Sequence, residues 1–193
     1  MYKSEDYDWT NIYGDVQEEL PKTMPKAKGR KVKLTMFADA NLYHDRLTGR
    51  SVTGLILMVN KTPIDWFSKK QISVESATYG SEFVAARIGT DKIVEMRYEL
   101  RMLGAPIEGP SIMFGDNMAV INSATISESN LKKRHIVLSY HRVRESIAAM
   151  VLKFYHIKGT ENPADILTMS LPGKTWYHSM KPILHWPKKE DKD

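Results

Sequence analysis

Four acidic side chains occur where the surrounding sequence does not favour one. Asp39 and Asp116 each end a short apolar run that predicts a buried strand. Glu82 lies at the start of a helical apolar stripe, so a helix that buries the stripe must also turn Glu82 toward the sheet. Asp165 falls in the first turn of a helix predicted after the last strand. Because strand ends and helix starts can meet at one edge of a sheet, the sequence predicts that these four carboxylates converge.

Convergent carboxylates favour hard divalent cations. Mg²⁺ and Mn²⁺ prefer oxygen ligands, and a pair of such ions is the usual device for hydrolysing phosphodiester bonds. The sequence has no cysteine, and His135 and His141 fall on different faces of a helix, so a zinc site is not indicated. Taken singly, Asp39 and Asp116 also fit the start of a turn, and Asp165 fits the acidic first turn of a helix. Their combination with a core-facing glutamate favours the metal site.

The elements that would position these acids follow from hydrophobic periodicity. Five apolar runs predict strands, and they are Lys33–Ala40, Val52–Asn60, Ile64–Ser68, Ser111–Asp116 and Val151–Ile157. Helices are predicted along the stripe from Ala86 to Leu103, at Asn117–Ser123, at Ser129–Met150 and from Asn162–Pro163 onward. This order predicts an α/β fold with a mixed five-stranded sheet, three strands antiparallel and the rest parallel, flanked by helices.

The two ends of the chain are predicted to be less regular than the body. Residues 1–30 contain two prolines and no apolar periodicity, which indicates an extended linker or arm. The body is placed at 31–171, and a C-terminal extension at 172–193, aromatic as far as Trp186 and disordered at its end. No apolar run approaches the roughly 20 residues of a membrane helix. The N-terminus lacks the apolar core of a secretory signal, and the absence of cysteine excludes disulfides.

The charge of the chain favours a polyanionic partner. There are 28 basic and 23 acidic residues, a net charge of +5, and the pI is about 9.2. Residues 128–153 contain six basic and two acidic side chains, which gives that segment a net charge of +4. Such a basic stripe suits nucleic acid, although an ordinary solvated helix face has the same composition.

Seven short sequence words, in their order, resemble a known family. They are FADANLYHD, RSVTG, WFSKKQ, ESATYGSEFVAAR, MFGDN, KKRHIVLSYHRVRE and NPADILT. Together they resemble the RNase H domain at the C-terminal end of the Pol polyprotein of copia-type LTR retrotransposons, from about Val32 to Leu171. The segment DWTNIYGDVQEELP is similar to the connection between reverse transcriptase and RNase H in that family.

The resemblance implies an enzyme and its site. The four catalytic acids of the family fall on Asp39, Glu82, Asp116 and Asp165, which would hold two Mg²⁺ ions, with Mn²⁺ as a substitute. The implied RNase H reaction is hydrolysis of the RNA strand of RNA/DNA hybrids during reverse transcription. The implied partners are the hybrid and the reverse transcriptase domain of the same polyprotein. The implied location is intracellular, in cytoplasmic virus-like particles, and not secreted.

The resemblance and the basic stripe together predict which residues contact nucleic acid. The predicted contacts are Lys69, Lys70, Gln71, Asn117, Lys132, Lys133, Arg134, His135, Arg142 and Arg144. Most of these side chains are cations that would follow phosphates without reading sequence. The 2′-hydroxyl group would distinguish the RNA strand from DNA.

The sequence departs from the family pattern at three places. Asn41 occurs where the family often has a second acid, so an auxiliary role is lost or passes to Asp45. Met169 replaces a usual lysine. The loop before the last catalytic helix lacks a histidine, which leaves Glu161 as the candidate for assisting product release.

Three alternatives stay open. Glu75 lies seven residues before Glu82 and would share its face if the helix began early, although Ser76, Ala77 and Thr78 indicate a later start. The chain could be a non-catalytic RNase H fold that binds nucleic acid or connects domains, but the complete acid set argues against this. An integrase or resolvase of the same fold typically has three acids and a different order of words.

Overall fold

The computed structural model describes residues 7–131 and 133–184. The strands of this part of the chain are β1 Leu34–Asp45, β2 Arg50–Val59, β3 Thr62–Lys70, β4 Ser111–Gly115 and β5 Leu152–His156. Its α-helices are α1 Thr10–Tyr13, α2 Thr78–Met102, α3 Met118–Thr125, α4 Val137–Ala148 and α5 Gly173–Ile183. Short 3₁₀ turns cover Arg134–Ile136, Gly159–Glu161 and Pro163–Leu167. In these described ranges, every helix is too short or too polar to cross a membrane.

The strands form one mixed sheet in the order β3-β2-β1-β4-β5. β2 pairs antiparallel with both β1 and β3, whereas β4 pairs parallel with both β1 and β5. This topology confirms the predicted α/β class and the predicted division into antiparallel and parallel strands. Since β1 and β4 are parallel, their carboxyl ends lie at the same edge of the sheet. β1 continues past the end of β4, and Phe37 of β1 lies opposite Phe114 of β4. This register places Asp39, in the middle of β1, level with Asp116, which directly follows β4.

One face of the sheet is covered by α2, with α4 packed beside it. Phe83 and Ile93 of α2 are fully buried, as is Val143 of α4. They belong to one hydrophobic core with inward side chains of the sheet such as Met36 and Met113. Burying each large apolar side chain contributes about 1.5–3 kcal/mol, which fixes α2 on the sheet. The first half of the predicted stripe, from Ala86 to Ile93, is buried and fixes the orientation of Glu82. Its far end is not buried, because Leu103 lies beyond α2 and is 81% exposed.

Two predicted boundaries near the sheet edge differ from the structure. β1 continues past Ala40 to Asp45, through an irregularity in its pairing with β2. Tyr43, in this irregular part, has a φ of 53°, which explains why the sequence suggests a turn there. The helix predicted at Asn162 is only the 3₁₀ turn, and an α-helix begins later, at Gly173.

The start of α4 also differs, because it lies at Val137 and not at Ser129. Side chains of α4 bond the backbone of the preceding connection and hold it in a non-helical path. The Tyr140 hydroxyl donates to Ser129 O, and the Arg144 guanidinium donates to Ile126 O at 2.7 Å. The bond from Tyr140 satisfies Ser129 O, a carbonyl that the longer predicted helix would have used internally. Ile126 O lies before that helix, at the end of α3.

The N-terminal segment lies against the body of the protein. Glu18 accepts hydrogen bonds from Arg97 and Arg101 of α2, at 2.6 Å from Arg97 Nε and 2.7 Å from Arg101 Nη2. The Trp9 ring lies against Arg144, with the guanidinium carbon 4.7 Å from the ring centroid. The segment predicted as a linker or arm therefore has fixed contacts. These contacts are ionic and aromatic, so they produce no apolar periodicity in the sequence.

The C-terminal segment returns to the body as α5. Ile183 of α5 is buried, at 6% exposure, and α5 packs against the 3₁₀ turn Pro163–Leu167. The expectation that the aromatic stretch before Trp186 packs on the domain holds only in part, because Trp176 and Tyr177 are exposed, at 47% and 42%. Trp186 itself and the predicted disordered end of the extension lie outside the described residues.

Candidate active site

Three of the predicted acids lie together at one edge of the sheet. One carboxylate oxygen each from Asp39, Glu82 and Asp116 lies within 4.8 Å of the other two. Asp39 and Glu82 are buried, at 5% and 7% exposure, and Asp116 is partly buried. Carboxylate oxygens grouped this closely suit a hard divalent cation.

Asp39 is held in place by the segment that follows the last 3₁₀ turn. The Thr168 hydroxyl donates to Asp39 Oδ2. Two residues further along β1, the Asn41 amide donates to Thr168 O at 3.1 Å. Asn41 therefore attaches this segment to β1, which is a positional role that an amide can fill and a carboxylate cannot.

The 3₁₀ turn Pro163–Leu167 places Asp165 beside the three acids. Asn162 caps this turn by accepting a hydrogen bond from Ala164 N at 3.2 Å, which confirms its predicted capping position. The Asn162 amide also donates to Ala38 O of β1 at 3.0 Å. One buried side chain thus links the turn that carries Asp165 to the strand that carries Asp39.

Gly54 of β2 allows the same turn to approach the sheet closely. Gly54 lies opposite Asp39 in the β1–β2 pairing. A Cβ atom at this position would lie 2.6 Å from Thr168 Cγ2 and 2.8 Å from Ala164 O. Only glycine fits there without moving backbone, so the absence of a side chain at residue 54 helps set the separation of Asp39 and Asp165.

The pKa of Asp165 is raised because the side chain is partly buried close to other acids. Burial raises its pKa, the charges of Asp39 and Asp116 raise it further, and the result is about 7 against an ordinary value of 3.8. Asp165 Oδ1 is buried and has no hydrogen-bond partner among the described residues. A buried carboxylate oxygen without a donor is unfavourable, and a bound cation would supply the missing partner.

The other buried acids show the same effect. Burial raises the pKa of Glu82 well above 4.5, and the negative charges of Asp39 and Asp116 add to it. Burial also raises the pKa of Asp39, although the Thr168 hydroxyl opposes this. The structure therefore brings all four predicted acids into mutual electrostatic contact. Their oxygen-only donor set and excess negative charge fit Mg²⁺ or Mn²⁺.

Most of the predicted nucleic-acid contacts are accessible. Lys69, Lys70, Arg134 and His135 are exposed, and Lys133 is partly buried. Lys70 pairs with Asp45 at 2.8 Å, and Lys133 Nζ donates to Ser76 Oγ at 3.3 Å. These cations lie at the end of β3 and before α4.

Two predicted contacts must be corrected because their side chains are buried. Gln71, at 3% exposure, donates to Thr53 Oγ1 and to Ser81 O, both at 2.9 Å. Arg144, at 1% exposure, donates to backbone carbonyls that include Ser127 O at 2.6 Å. Both side chains stabilise the protein interior, and neither can reach a phosphate.

The remaining predicted contacts have other partners or cannot be placed. Arg142 pairs with Asp91 at 2.8 Å while remaining partly exposed. The Asn117 side chain accepts hydrogen bonds from Ala119 N and Val120 N, so its oxygen caps α3. Lys132 lies outside the described residues.

Asp45, Glu161 and Met169, which are the residues concerned by the departures from the family pattern, do not lie among the four acids. Asp45 pairs with Lys70 and accepts from Leu47 N at 3.1 Å, and these bonds lower its pKa, so it holds a turn and does not join the acids. Glu161 is exposed, in the 3₁₀ turn whose first residue, Gly159, lies against Asp116 Oδ2. Its role in product release stays a prediction. Met169 is partly exposed, at 40%.

Sequence reasoning missed the residues that support the acids. Thr168 and Gly54 both decide where Asp39 and Asp165 lie, yet a threonine after a short turn and a glycine in an apolar strand are common. The glycine carries a weak signal, since glycine inside a strand often marks close approach of another backbone. The hydroxyl of Thr168 carries none, because its partner is 129 residues away in the sequence.

Comparison with known proteins supports the fold and the resemblance. No protein-family model matches the chain. The chain is 29% identical over 136 residues to the retrovirus-related Pol polyprotein from transposon TNT 1-94 of Nicotiana tabacum. This match covers 70% of the chain and 10% of the relative, so the chain spans about a tenth of the polyprotein's length.

Two solved structures that share the fold are an RNase H and an RNase H domain. An RNase H crystallised with an RNA/DNA hybrid superposes with a TM-score of 0.56 at 14% identity, covering 70% of this chain and 94% of that one. The N-terminal RNase H domain of a Mycobacterium tuberculosis protein, fused to maltose binding protein, gives 0.55 at 14% identity, covering 78% and 98%. The predicted RNase H-like fold is confirmed, and so is the resemblance to the RNase H domain of a Pol polyprotein.

Proposed function

We propose that the chain is a ribonuclease H that hydrolyses the RNA strand of RNA/DNA hybrids with two Mg²⁺ ions. The convergence of Asp39, Glu82, Asp116 and Asp165, with raised pKa values at three of them, carries the proposal. A fold that keeps four mutually repelling carboxylates without basic partners among its described residues loses stability by doing so. Cation binding explains why such a cluster would persist.

The roles of the residues follow from their positions. Asp39, Glu82 and Asp116 would hold the ions, and Asp165 would complete the site with its unpartnered oxygen. When bound, the ions activate a water molecule and stabilise the leaving oxygen in an in-line displacement. Thr168 holds the Asp39 carboxylate in one orientation, and Asn162 and Gly54 hold Asp165 near it. The protein thus supplies a prearranged set of ligands.

The exposed cations supply the proposed contact with substrate. Lys69, Lys70, Lys133 and Arg134 would neutralise phosphates of the hybrid, and His135 would contact its backbone. Such contacts are independent of sequence and weaken with salt. One solved relative in fold is bound to an RNA/DNA hybrid, which supports this class of substrate.

The biological setting belongs to the proposal as well. Since the matched relative is a Pol polyprotein ten times longer than the matched region, we place the chain with a reverse transcriptase domain. Removal of an RNA template during retrotransposon DNA synthesis, inside cytoplasmic virus-like particles, is the corresponding task.

The direct test is cleavage of a labelled RNA/DNA hybrid by the purified chain with Mg²⁺, with Mn²⁺ and with EDTA. We expect metal-dependent cutting of the RNA strand alone, with RNA/RNA and DNA/DNA duplexes left intact. Asp116→Asn should abolish cutting, while Glu128→Gln, which removes an exposed acid before α4, should cut normally.

Two results would contradict the proposal. Normal cutting by Asp116→Asn, with its fold confirmed by circular dichroism, would show that the site is elsewhere. Salt-sensitive hybrid binding without cutting, even after a reverse transcriptase portion is added, would favour the non-catalytic binding or connecting module.

A further inference from the structure

A groove lies beside the N-terminus of α2, between the end of β3 and the start of α4. Its volume is about 910 Å³. Its lining combines apolar side chains with the cations Lys69, Lys70 and Arg87, and also includes His135 and Glu75. Among the described residues that line the groove, Glu75 is the lone acid, and neither the metal site nor the phosphate contacts explain it.

Glu75 is almost completely buried, at 2% exposure. Its Oε2 lies 2.7 Å from His135 Nε2, and its Oε1 accepts a hydrogen bond from Ser73 Oγ at 3.2 Å. A Cβ atom on Gly80 would lie 2.2 Å from Glu75 Oε2, so the carboxylate occupies space left by the missing side chain. A buried carboxylate needs such partners, and here the principal partner is an exposed imidazole.

The pairing fixes how His135 meets the groove. A carboxylate oxygen can only accept, so we assign the ring proton to Nε2, which leaves Nδ1 of the neutral ring as an acceptor for another partner. The His135 side chain is 50% exposed and lines the groove with the lysines of β3. Without the carboxylate, the ring could rotate and either nitrogen could carry the proton.

We propose that Glu75 is a positioning residue for nucleic-acid binding, which holds the His135 ring so that Nδ1 accepts a hydrogen bond from a ribose 2′-hydroxyl group in the groove. This inference rests on the proposed function, because the hybrid is its ligand. Glu75 acts through His135 and does not itself contact the substrate. Glu75, seven residues before Glu82, would therefore act in substrate binding and not in catalysis.

The rival explanation is that Glu75 only holds the loop between β3 and α2. A double-mutant cycle separates the two. Hybrid affinity would be measured in EDTA, where no cleavage occurs, for the wild type, Glu75→Gln, His135→Ala and the double variant. We expect each single variant to weaken binding about three- to tenfold, the scale of one hydrogen bond between uncharged groups. The double variant should bind no more weakly than His135→Ala alone.

A second variant keeps the test valid if Glu75→Gln does not fold. His135→Gln retains an amide that can donate to Glu75 but has no second ring nitrogen for the groove. It should fold like the wild type and bind the hybrid as weakly as His135→Ala. Glu128→Gln is the matched control for loss of one negative charge, and it should not weaken binding.

Each outcome is decisive. The proposal is overturned if Glu75→Gln weakens binding equally with and without His135, or if His135→Gln binds like the wild type. A wild-type chain that does not bind the hybrid overturns it too. If the affinities follow the expected cycle while no hybrid is cut with Mg²⁺, the inference stands and the proposed hydrolysis fails. In an active enzyme, the single variants should raise KM and leave kcat unchanged.

Discussion

Two charged clusters in this protein are built in opposite ways. In the arginine clamp, Glu18 is held by Arg97 and Arg101 and joins the N-terminal segment to α2. At the sheet edge, four acids converge, and no salt bridge reaches any of them in the ranges 7–131 and 133–184. The negative charge of Glu18 is therefore balanced by neighbouring cations, whereas the charges of the four acids are not balanced by any cation in those ranges.

The pKa shifts of the two clusters have opposite directions. Burial alone would raise the pKa of Glu18, but the hydrogen bonds and charges of Arg97 and Arg101 outweigh it and lower the pKa below 4.5. The pKa of Asp165 is raised to about 7 by burial and by neighbouring acids. Compensated charge stabilises the fold, whereas uncompensated charge opposes it. The acid cluster is therefore the better candidate for function.

Replacing an acid of the uncompensated cluster should have the largest effect on activity. We expect Asp39→Asn to reduce hybrid cleavage by at least about a hundredfold, or ~2.7 kcal/mol. The same variant should raise the melting temperature in EDTA by roughly 2–4 °C, since about 1 kcal/mol of repulsion is removed. The asparagine oxygen can still accept the Thr168 hydrogen bond. Reduced stability in EDTA would show that the acids do not repel one another as described.

Replacing Glu18 of the arginine clamp should reduce stability and leave activity unchanged. Glu18→Gln should lower the free energy of unfolding by about 2 kcal/mol, between the values for an exposed and a fully buried ion pair. It should leave kcat for hybrid cleavage unchanged, because Glu18 does not take part in the metal site. Denaturant unfolding checks the first expectation, with Glu19→Gln, an exposed neighbour, as control. A large loss of kcat in the folded variant would link the clamp to catalysis.

The free energy of unfolding should depend on pH in opposite directions for the two clusters, and this effect should be smaller than those of the substitutions above. Glu18 has a lowered pKa, so its contribution is complete above its ordinary pKa of 4.5 and is lost as the pH falls through the lower folded value. Asp165 has a raised pKa, so the folded state holds its proton more tightly than the unfolded chain does. In EDTA, its effect is a loss of stability as the pH rises from about 4 to about 7.

Chemical denaturation across this pH range measures whether the free energy of unfolding rises or falls with pH. Asp165→Asn should remove part of the decline toward neutral pH, because Asp39 and Glu82 also have raised pKa values. Glu18→Gln should remove part of the decline toward acid. Identical pH profiles for the wild type and both variants would contradict the contrast between the clusters.

The sequence predicted the acids well because local pattern decides where they lie. Asp39 and Asp116 each follow a short apolar run, and the parallel pairing of β1 with β4 places the two acids level with each other. The buried stripe of α2 turns Glu82 toward them. The sequence places Asp165 in the first turn of a helix, but the element is a 3₁₀ turn, and the next α-helix begins at Gly173. That turn is held by Asn162 and Gly54 through contacts with distant strands, which periodicity does not report.

The basic residues were predicted less well, for a physical reason. Arg144 has the composition of a phosphate contact, yet it is buried among carbonyls and the Trp9 ring, a partner 135 positions earlier in the chain. Gln71 is also buried, and its side chain donates a hydrogen bond to Thr53. A cationic or polar residue on a helix or strand end gives no local sign of which long-range partner it will find. For the same reason, the Glu75–His135 pair could not be recognised from the sequence.

The most direct test of the central claim is the melting temperature with and without Mg²⁺. If the acid cluster is a cation site, Mg²⁺ should raise the melting temperature of the wild type and equally that of Glu18→Gln, because an ion that binds only the folded state stabilises it. Asp39→Asn should show little or no rise. A shift of equal size in all three proteins, or in none of them, would contradict the account.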